Sequence, residues 1–187
     1  MQSIFGIYTD SRLWMVLFGA LIFGCLNVPA QDTWILRNPP PRDSNSTLYG
    51  ITWGNGMFVA VGKSGSIVYS PDGISWGKAV SGTTCSLRSI TWGDSLFVAG
   101  GDSGTILYSN NGATWTKAAS GTTENITGIA WGNGQFIAAR SDSLMISTDA
   151  MAWNTYYGKG VFSLVWGDNQ FVGINRGEIL GSPDGIS

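Results

Sequence analysis

Short runs of alternating apolar and polar residues fill most of this chain, and Gly, Asn, Asp and Pro cut them at close intervals. That alternation marks half-buried β-strands, and no segment carries a helical period. From Leu48 onward four strands are expected: Leu48 to Trp53, Met57 to Val61, Ser66 to Ser70 and Ile74 to Ala79. The breaks have their own chemistry. Asn55-Gly56, and later Asn133-Gly134, are hairpin signals, because a type I′ turn needs positive φ at both central residues. Gly62-Lys63-Ser64-Gly65 and Gly101-Asp102-Ser103-Gly104 mark a second turn, and Pro71-Asp72-Gly73 a third.

This pattern returns. Ile51-Thr52-Trp53-Gly54-Asn55-Gly56-Met57-Phe58 is echoed at Ile90 to Phe97, at Ile129 to Phe136 and at Leu164 to Phe171, with tryptophans 39, 39 and 35 residues apart. Four antiparallel strands repeated at about 39 residues make a propeller blade. A sandwich does not repeat its sequence strand for strand, and a βα solenoid needs helices. The expected fold is therefore all-β, a β-propeller of four-stranded antiparallel blades with about four blades present and the ring incomplete. The expected division is 31–47 as an N-terminal outer strand and linker, 48–86, 87–125 and 126–160 as blades, and 161–187 as a partial blade.

A second series runs through the third turn of each unit. Its copies are Ser70, Asp72, Gly73 and Trp76; Ser109, Asn111, Gly112 and Trp115; Ser147, Asp149 and Trp153, with Ala150 in the glycine's place; and Ser182, Asp184 and Gly185. The carboxylate can accept N–H groups of its own turn, the glycine supplies positive φ, and the tryptophan buries a large ring. Asn111 keeps one acceptor oxygen. Ala150 predicts a strained or reshaped turn. At the spacing of the fourth unit, the next tryptophan would fall at position 188. Trp34, within Asp32-Thr33-Trp34-Ile35-Leu36, looks like an isolated fourth strand. It could complete the last blade and close a ring of four; the alternative, preferred here, is a chain cut in mid-blade.

This series resembles the Asp box, or bacterial neuraminidase repeat. The pattern over residues 48–187 looks like the secreted bacterial Asp-box propellers, grouped with sialidase-like and photosystem II assembly-factor-like domains. The resemblance implies a propeller whose Asp boxes join third and fourth strands, on the face away from a sialidase active site. It does not imply one activity, because such repeats occur in hydrolases, receptors and assembly factors alike.

Charge and composition narrow the function. The net charge is −2 with no histidine, so no histidine base or metal ligand exists, and no basic stripe suits nucleic acid. No cofactor and no metal are expected. Arg12, the apolar run Leu13–Leu26 and Val28-Pro29-Ala30 read as a signal peptide over 1–30, cleaved before Gln31. The run is too short to span a bilayer, so the mature chain would carry no membrane span. This predicts a secreted, periplasmic or cell-surface protein. An uncleaved anchor and a lipoprotein acylated at Cys25 are the alternatives. Cys85 is expected to be a small buried hydrophobe.

Binding residues are expected on the less repetitive turns, at the mouth opposite the Asp boxes. Lys63, Asp102, Arg140, Asp142 and Arg176 are the candidates. The expected function is an exported, non-catalytic binding or scaffolding module for a protein or carbohydrate ligand. The alternative is a glycoside hydrolase of sialidase or xyloglucanase type, its catalytic residues partly outside this chain. Such chemistry needs two carboxylates about 5–10 Å apart, for which Asp102 and Asp142 are the available pair.

Overall fold

The structure is a computed structural model and describes residues 47–187. The leader, Cys25, Trp34 and the segment 31–46 lie outside the described residues.

Fifteen strands form four antiparallel sheets, each with its strands in sequence order. Blade 1 holds β1 (Leu48–Gly54), β2 (Met57–Gly62), β3 (Ile67–Ser70) and β4 (Gly77–Ala79). Blade 2 holds β5 (Leu87–Gly93), β6 (Leu96–Gly101), β7 (Ile106–Ser109) and β8 (Thr116–Lys117). Blade 3 holds β9 (Gly128–Gly132), β10 (Gln135–Ala139), β11 (Ser143–Ser147) and β12 (Asn154–Tyr157). Blade 4 has three described strands, β13 (Ser163–Gly167), β14 (Gln170–Asn175) and β15 (Glu178–Ser182).

The hairpin between the first two strands has the same shape in every blade. Its central residues all have positive φ: Asn55 (46°) and Gly56 (72°), Asp94 (46°) and Ser95 (60°), Asn133 (49°) and Gly134 (73°), Asp168 (48°) and Asn169 (56°). The type I′ turn therefore survives where serine or asparagine replaces glycine. Its register pairs each tryptophan with a phenylalanine across the ladder. Ring centroids lie 4.4 Å apart for Trp53–Phe58, Trp92–Phe97 and Trp131–Phe136, and 4.5 Å apart for Trp166–Phe171. Rings at that separation gain more than their buried area alone provides.

The fourth strand is shorter than the sequence pattern suggests. Expected from Ile74, it begins at Gly77. The N–H groups of Ile74 and Ser75 are already donated to Asp72, so those residues belong to the turn and cannot join the ladder.

Blades pack through one alternating code. Residues on one face of each inner strand point to the preceding blade, and the others to the following one. Gly54 lies against the Trp92 ring, Gly93 against Trp131 and Gly132 against Trp166, and a Cβ on any of them would run into the indole. Three apolar clusters result, each shared by two adjacent blades. Val59, Ile67, Leu87 and Phe97 lie between blades 1 and 2; Val98, Ile106, Ile129 and Phe136 between 2 and 3; Ile137, Val161, Leu164 and Phe171 between 3 and 4. Among the described residues no atom lies within 4 Å of the position a Gly167 Cβ would take, and Trp53 is about half exposed. Blade 1 is therefore not seated on blade 4. The described blades form an open arc, and a ring of four closed on itself is not what the structure shows.

Candidate functional site

One end of the arc carries the hairpins and the Ser-x-Asp turns. Asp72 Oδ1 accepts the N–H groups of Ile74 (2.8 Å) and Ser75 (2.7 Å) and the hydroxyl of Ser70 (2.9 Å). Ser70 Oγ in turn accepts the Gly73 N–H at 2.9 Å, and the Trp76 indole donates to the Gly73 carbonyl at 3.3 Å. Donation by Ser75, Ile74 and Ser70 pulls the Asp72 carboxyl down to about 2. Asp149 is lowered by Met151, Ala152 and Ser147, and Asp184 by Ser187, Ile186 and Ser182. Asn111 Oδ1 accepts from Ala113 (3.0 Å) and Thr114 (2.9 Å) in the same way. The third copy is strained rather than reshaped. Ala150 sits at φ 64° and is fully buried, while Met151, Ala152 and Trp153 keep the bonds of the other copies. These carboxylates are spent on their own turns.

This end is also stitched between blades. The Asn55 amide donates to the Asn110 carbonyl at 3.0 Å, and Asn133 donates to Pro183 at 3.4 Å.

The opposite end is made of the β2–β3, β6–β7, β10–β11 and β14–β15 turns and the connections between blades. Lys63 N–H donates to the Thr47 carbonyl (2.8 Å), and Asp102 N–H to the Ser86 carbonyl (2.9 Å). Ser103 N–H donates to Asn125 Oδ1, on the connection to the next blade, at 2.9 Å. These bonds bring the variable segments to one end, where the five candidates lie in different settings. Asp102 forms an ion pair with Arg88 across exposed strand and turn. Arg140 is only 5% exposed. Its guanidinium meets the Glu124 carboxylate at 2.7 Å, so it is committed within the fold. Asp142 Oδ1 accepts the Ser143 hydroxyl at 2.9 Å. Arg176 occupies its turn at φ 41°. Beside it, Asn175 Oδ1 is buried without a hydrogen-bond partner among the described residues.

The candidates do not converge on one pocket. Lys63 lines an open cleft of about 770 Å³ with Lys78, Ser81 and Thr83. Arg140 lines another of about 580 Å³ with Glu124, Thr122, Thr155 and Tyr157. Lys78 and Tyr157 thus join the candidates at these clefts. Lys78 and Tyr157 lie on outer strands, a position that turn-based reasoning passes over. Nothing places Asp102 and Asp142 together in either cleft.

Cys85 differs from expectation. It is half-buried rather than part of the core. The hydroxyls of Thr105 and Thr83 hold its thiol below its ordinary value. Among the described residues, no cluster of His, Cys, Asp and Glu could hold a metal ion, and no helix is long and apolar enough to cross a membrane.

No family model and no curated protein matches the chain. Solved structures do. The chain is similar to YCF48 bound to D1 peptide, with TM-score 0.62, 15% identity, 82% of this chain and 55% of that one covered. It is similar to the computationally designed Ika4 protein, with TM-score 0.61, 13% identity, 82% of this chain and 99% of that one covered. It is also similar to the designed Ika8 protein, with TM-score 0.58, 13% identity, 72% of this chain and 45% of that one covered. The chain therefore spans about half the length of YCF48 and Ika8 and nearly all of Ika4. Identities this low carry the fold alone. With three four-stranded sheets and a fourth of three described strands, they make the described residues an all-β, incomplete propeller.

Proposed function

We propose that this chain is an exported, non-catalytic propeller that binds a protein segment or a glycan, a peptide being the better fit. The ligand would meet the end carrying Lys63, Asp102, Arg140, Asp142 and Arg176. The observation behind this reading is how the acids at that end are used. Asp102 is held by Arg88, Glu124 by Arg140 and Asp142 by Ser143. Glycoside hydrolysis wants one carboxyl raised for acid catalysis and a second facing it across the substrate. Acids that neutralise neighbouring cations or accept a neighbouring hydroxyl supply instead a recognition surface with fixed polarity. YCF48 has been solved with a bound peptide, which favours a peptide over a glycan here.

Binding should be screened on a peptide library and a glycan array in parallel, together with hydrolysis assays. Peptide capture should weaken at least about tenfold in Lys63→Ala/Arg176→Ala, with an unchanged melting temperature. Glycan hydrolysis abolished by Asp102→Asn or Asp142→Asn would overturn the reading. Export predicts that the N-terminus of the protein recovered outside the cytoplasm is Gln31.

A further inference from the structure

Asn-Gly occurs three times in this chain, at 55–56, 111–112 and 133–134. At such a step the backbone nitrogen reaches the asparagine side chain most readily, because the following residue has no Cβ to hinder the approach. The fold holds the three copies in two different ways. Asn55-Gly56 and Asn133-Gly134 are exposed hairpin turns, and nothing lies within 4 Å of the position a Cβ on Gly56 or Gly134 would take. The N–H groups of Gly56 and Gly134 have no acceptor among the described residues. Asn111-Gly112 is fixed on every side. The Gly112 N–H donates to Ser109 Oγ at 2.8 Å, and Asn111 Oδ1 accepts from Ala113 and Thr114. A Cβ on Gly112 would lie 2.8 Å from the Val59 side chain and 2.9 Å from Met57 Sδ, so the turn has no room to rearrange.

The two open amides are also the ones that fasten blades together. Asn55 Nδ2 donates to the Asn110 carbonyl at 3.0 Å, and Asn133 Nδ2 to the Pro183 carbonyl at 3.4 Å. Blade 2 has Asp94 at this position of the same turn, at φ 46° like Asn55. A carboxylate has no N–H to give. No hydrogen bond joins Asp94 to Thr148, the counterpart of Asn110 and Pro183, among the described residues. Blade 2 therefore already shows what an acid does at this place. The hairpin keeps its shape, and the bond to the next blade is missing.

We propose that Asn55 and Asn133 are sites of spontaneous deamidation that unfasten the hairpin end of their blade junctions, while Asn111 is protected. The Gly56 nitrogen attacks Asn55 Cγ. The new N–C bond closes a succinimide ring, the Cγ–Nδ2 bond breaks, and Nδ2 leaves as ammonia with the proton from the Gly56 nitrogen. Water then opens the ring at one carbonyl to give aspartate or at the other to give isoaspartate, and nothing is oxidised or reduced. The aspartate at position 55 faces the Asn110 carbonyl with oxygen against oxygen. The two sites differ in consequence. The Asn133 amide is held by the longer bond and is released first, but Gln135 still donates to the Asp184 carbonyl at 2.6 Å and keeps blades 3 and 4 joined. The Asn55 bond is the one side-chain hydrogen bond that crosses from blade 1 to blade 2 at this end among the described residues.

The test is peptide mapping by mass spectrometry of the full chain, incubated at mildly alkaline pH both folded and in denaturant. In denaturant the three Asn-Gly steps should convert at similar rates. In the folded protein the order should be Asn133, then Asn55, then Asn111, with Asn111 slowed at least about tenfold by the local opening its turn requires. Asn111 converting as fast as Asn55 overturns the proposal, and so do Asn55 and Asn133 held to the rate of Asn111. Thermal melting reads the consequence. Asn55→Asp should lower the melting temperature by about 2–4 °C, and Asn133→Asp by less. Asp94→Asn should raise it, by supplying a donor to the Thr148 carbonyl. An Asn55→Asp variant that melts with the wild type, or an Asp94→Asn variant that gains nothing, overturns the unfastening.

Discussion

The two ends of the arc are held together differently. At the hairpin end each Ser-x-Asp turn closes on itself, its carboxylate bonded to N–H groups two and three residues ahead. At the opposite end the partners are distant in sequence: Arg88 and Asp102 lie 14 residues apart, Glu124 and Arg140 16, Ser103 and Asn125 22. The turns of the first end can repeat because each needs only its own residues, and the amides of Asn55 and Asn133 then stitch neighbouring blades across that end. The second joins turn to connection, and its pairs differ from blade to blade. Rigidity is therefore built into the repetitive end, while chemical variety gathers at the other, where a ligand would have something to read.

The sharpest break of this contrast is at the hairpin end. Gly93→Val forces a side chain into the Trp131 ring. It should cost about 3 kcal/mol, read as a fall in denaturant midpoint with near-normal secondary structure in the remaining blades. At the variable end, Glu124→Ala leaves the buried Arg140 guanidinium without its partner. Full loss of a buried pair costs about 3–5 kcal/mol, but Glu124 is half exposed, so about 2 kcal/mol is expected. Replacing Arg140 by Met as well should return part of that loss in a double-mutant cycle. Ser70→Ala removes a buried hydroxyl that accepts the Gly73 N–H and donates to Asp72, for a loss of about 1–2 kcal/mol. If Ser70→Ala proves more damaging than Gly93→Val, the hairpin end depends on its turns more than on its inter-blade packing.

What could be read from sequence follows the same division. Strand order, hairpin type and the roles of Asp72, Asn111, Asp149 and Asp184 depend on neighbours within a few residues, so period and residue type expose them. The start of the fourth strand was missed because the Asp turn claims Ile74 and Ser75 before the ladder can. The candidate cations were found as residues but not as partners. No spacing rule pairs Arg140 with Glu124 or Arg88 with Asp102, since those contacts depend on how turns and connections fold back on each other. The cleft residues Lys78 and Tyr157 sit on outer strands, where the pattern gives only alternation. The flanks are legible only in three dimensions. The four Trp-Gly phrases look equivalent in sequence, and only the structure shows that, among the described residues, Trp53 and Gly167 are without the partners their counterparts have.

The smallest effect concerns charge within the Asp turns, and the natural asparagine at position 111 frames it. Asn111 accepts the same two N–H groups as the aspartates, so the turn requires an acceptor oxygen rather than a negative charge. A carboxylate adds strength because charge-assisted hydrogen bonds exceed neutral ones. Asp72→Asn should therefore lower the melting temperature only slightly at neutral pH. Its signature is in acid. The Asp72 carboxyl falls from 3.8 to about 2 on folding, so the fold favours the ionised form. The stability this adds is complete above about pH 4 and disappears as the pH drops through 2. The gap between wild type and Asp72→Asn should close over that interval, while Asn111→Asp should open an equivalent gap at neutral pH and lose it in acid. A wild-type-to-variant gap that stays constant from pH 7 to pH 2 would show that the charge contributes nothing. The turns would then be held by acceptor geometry alone.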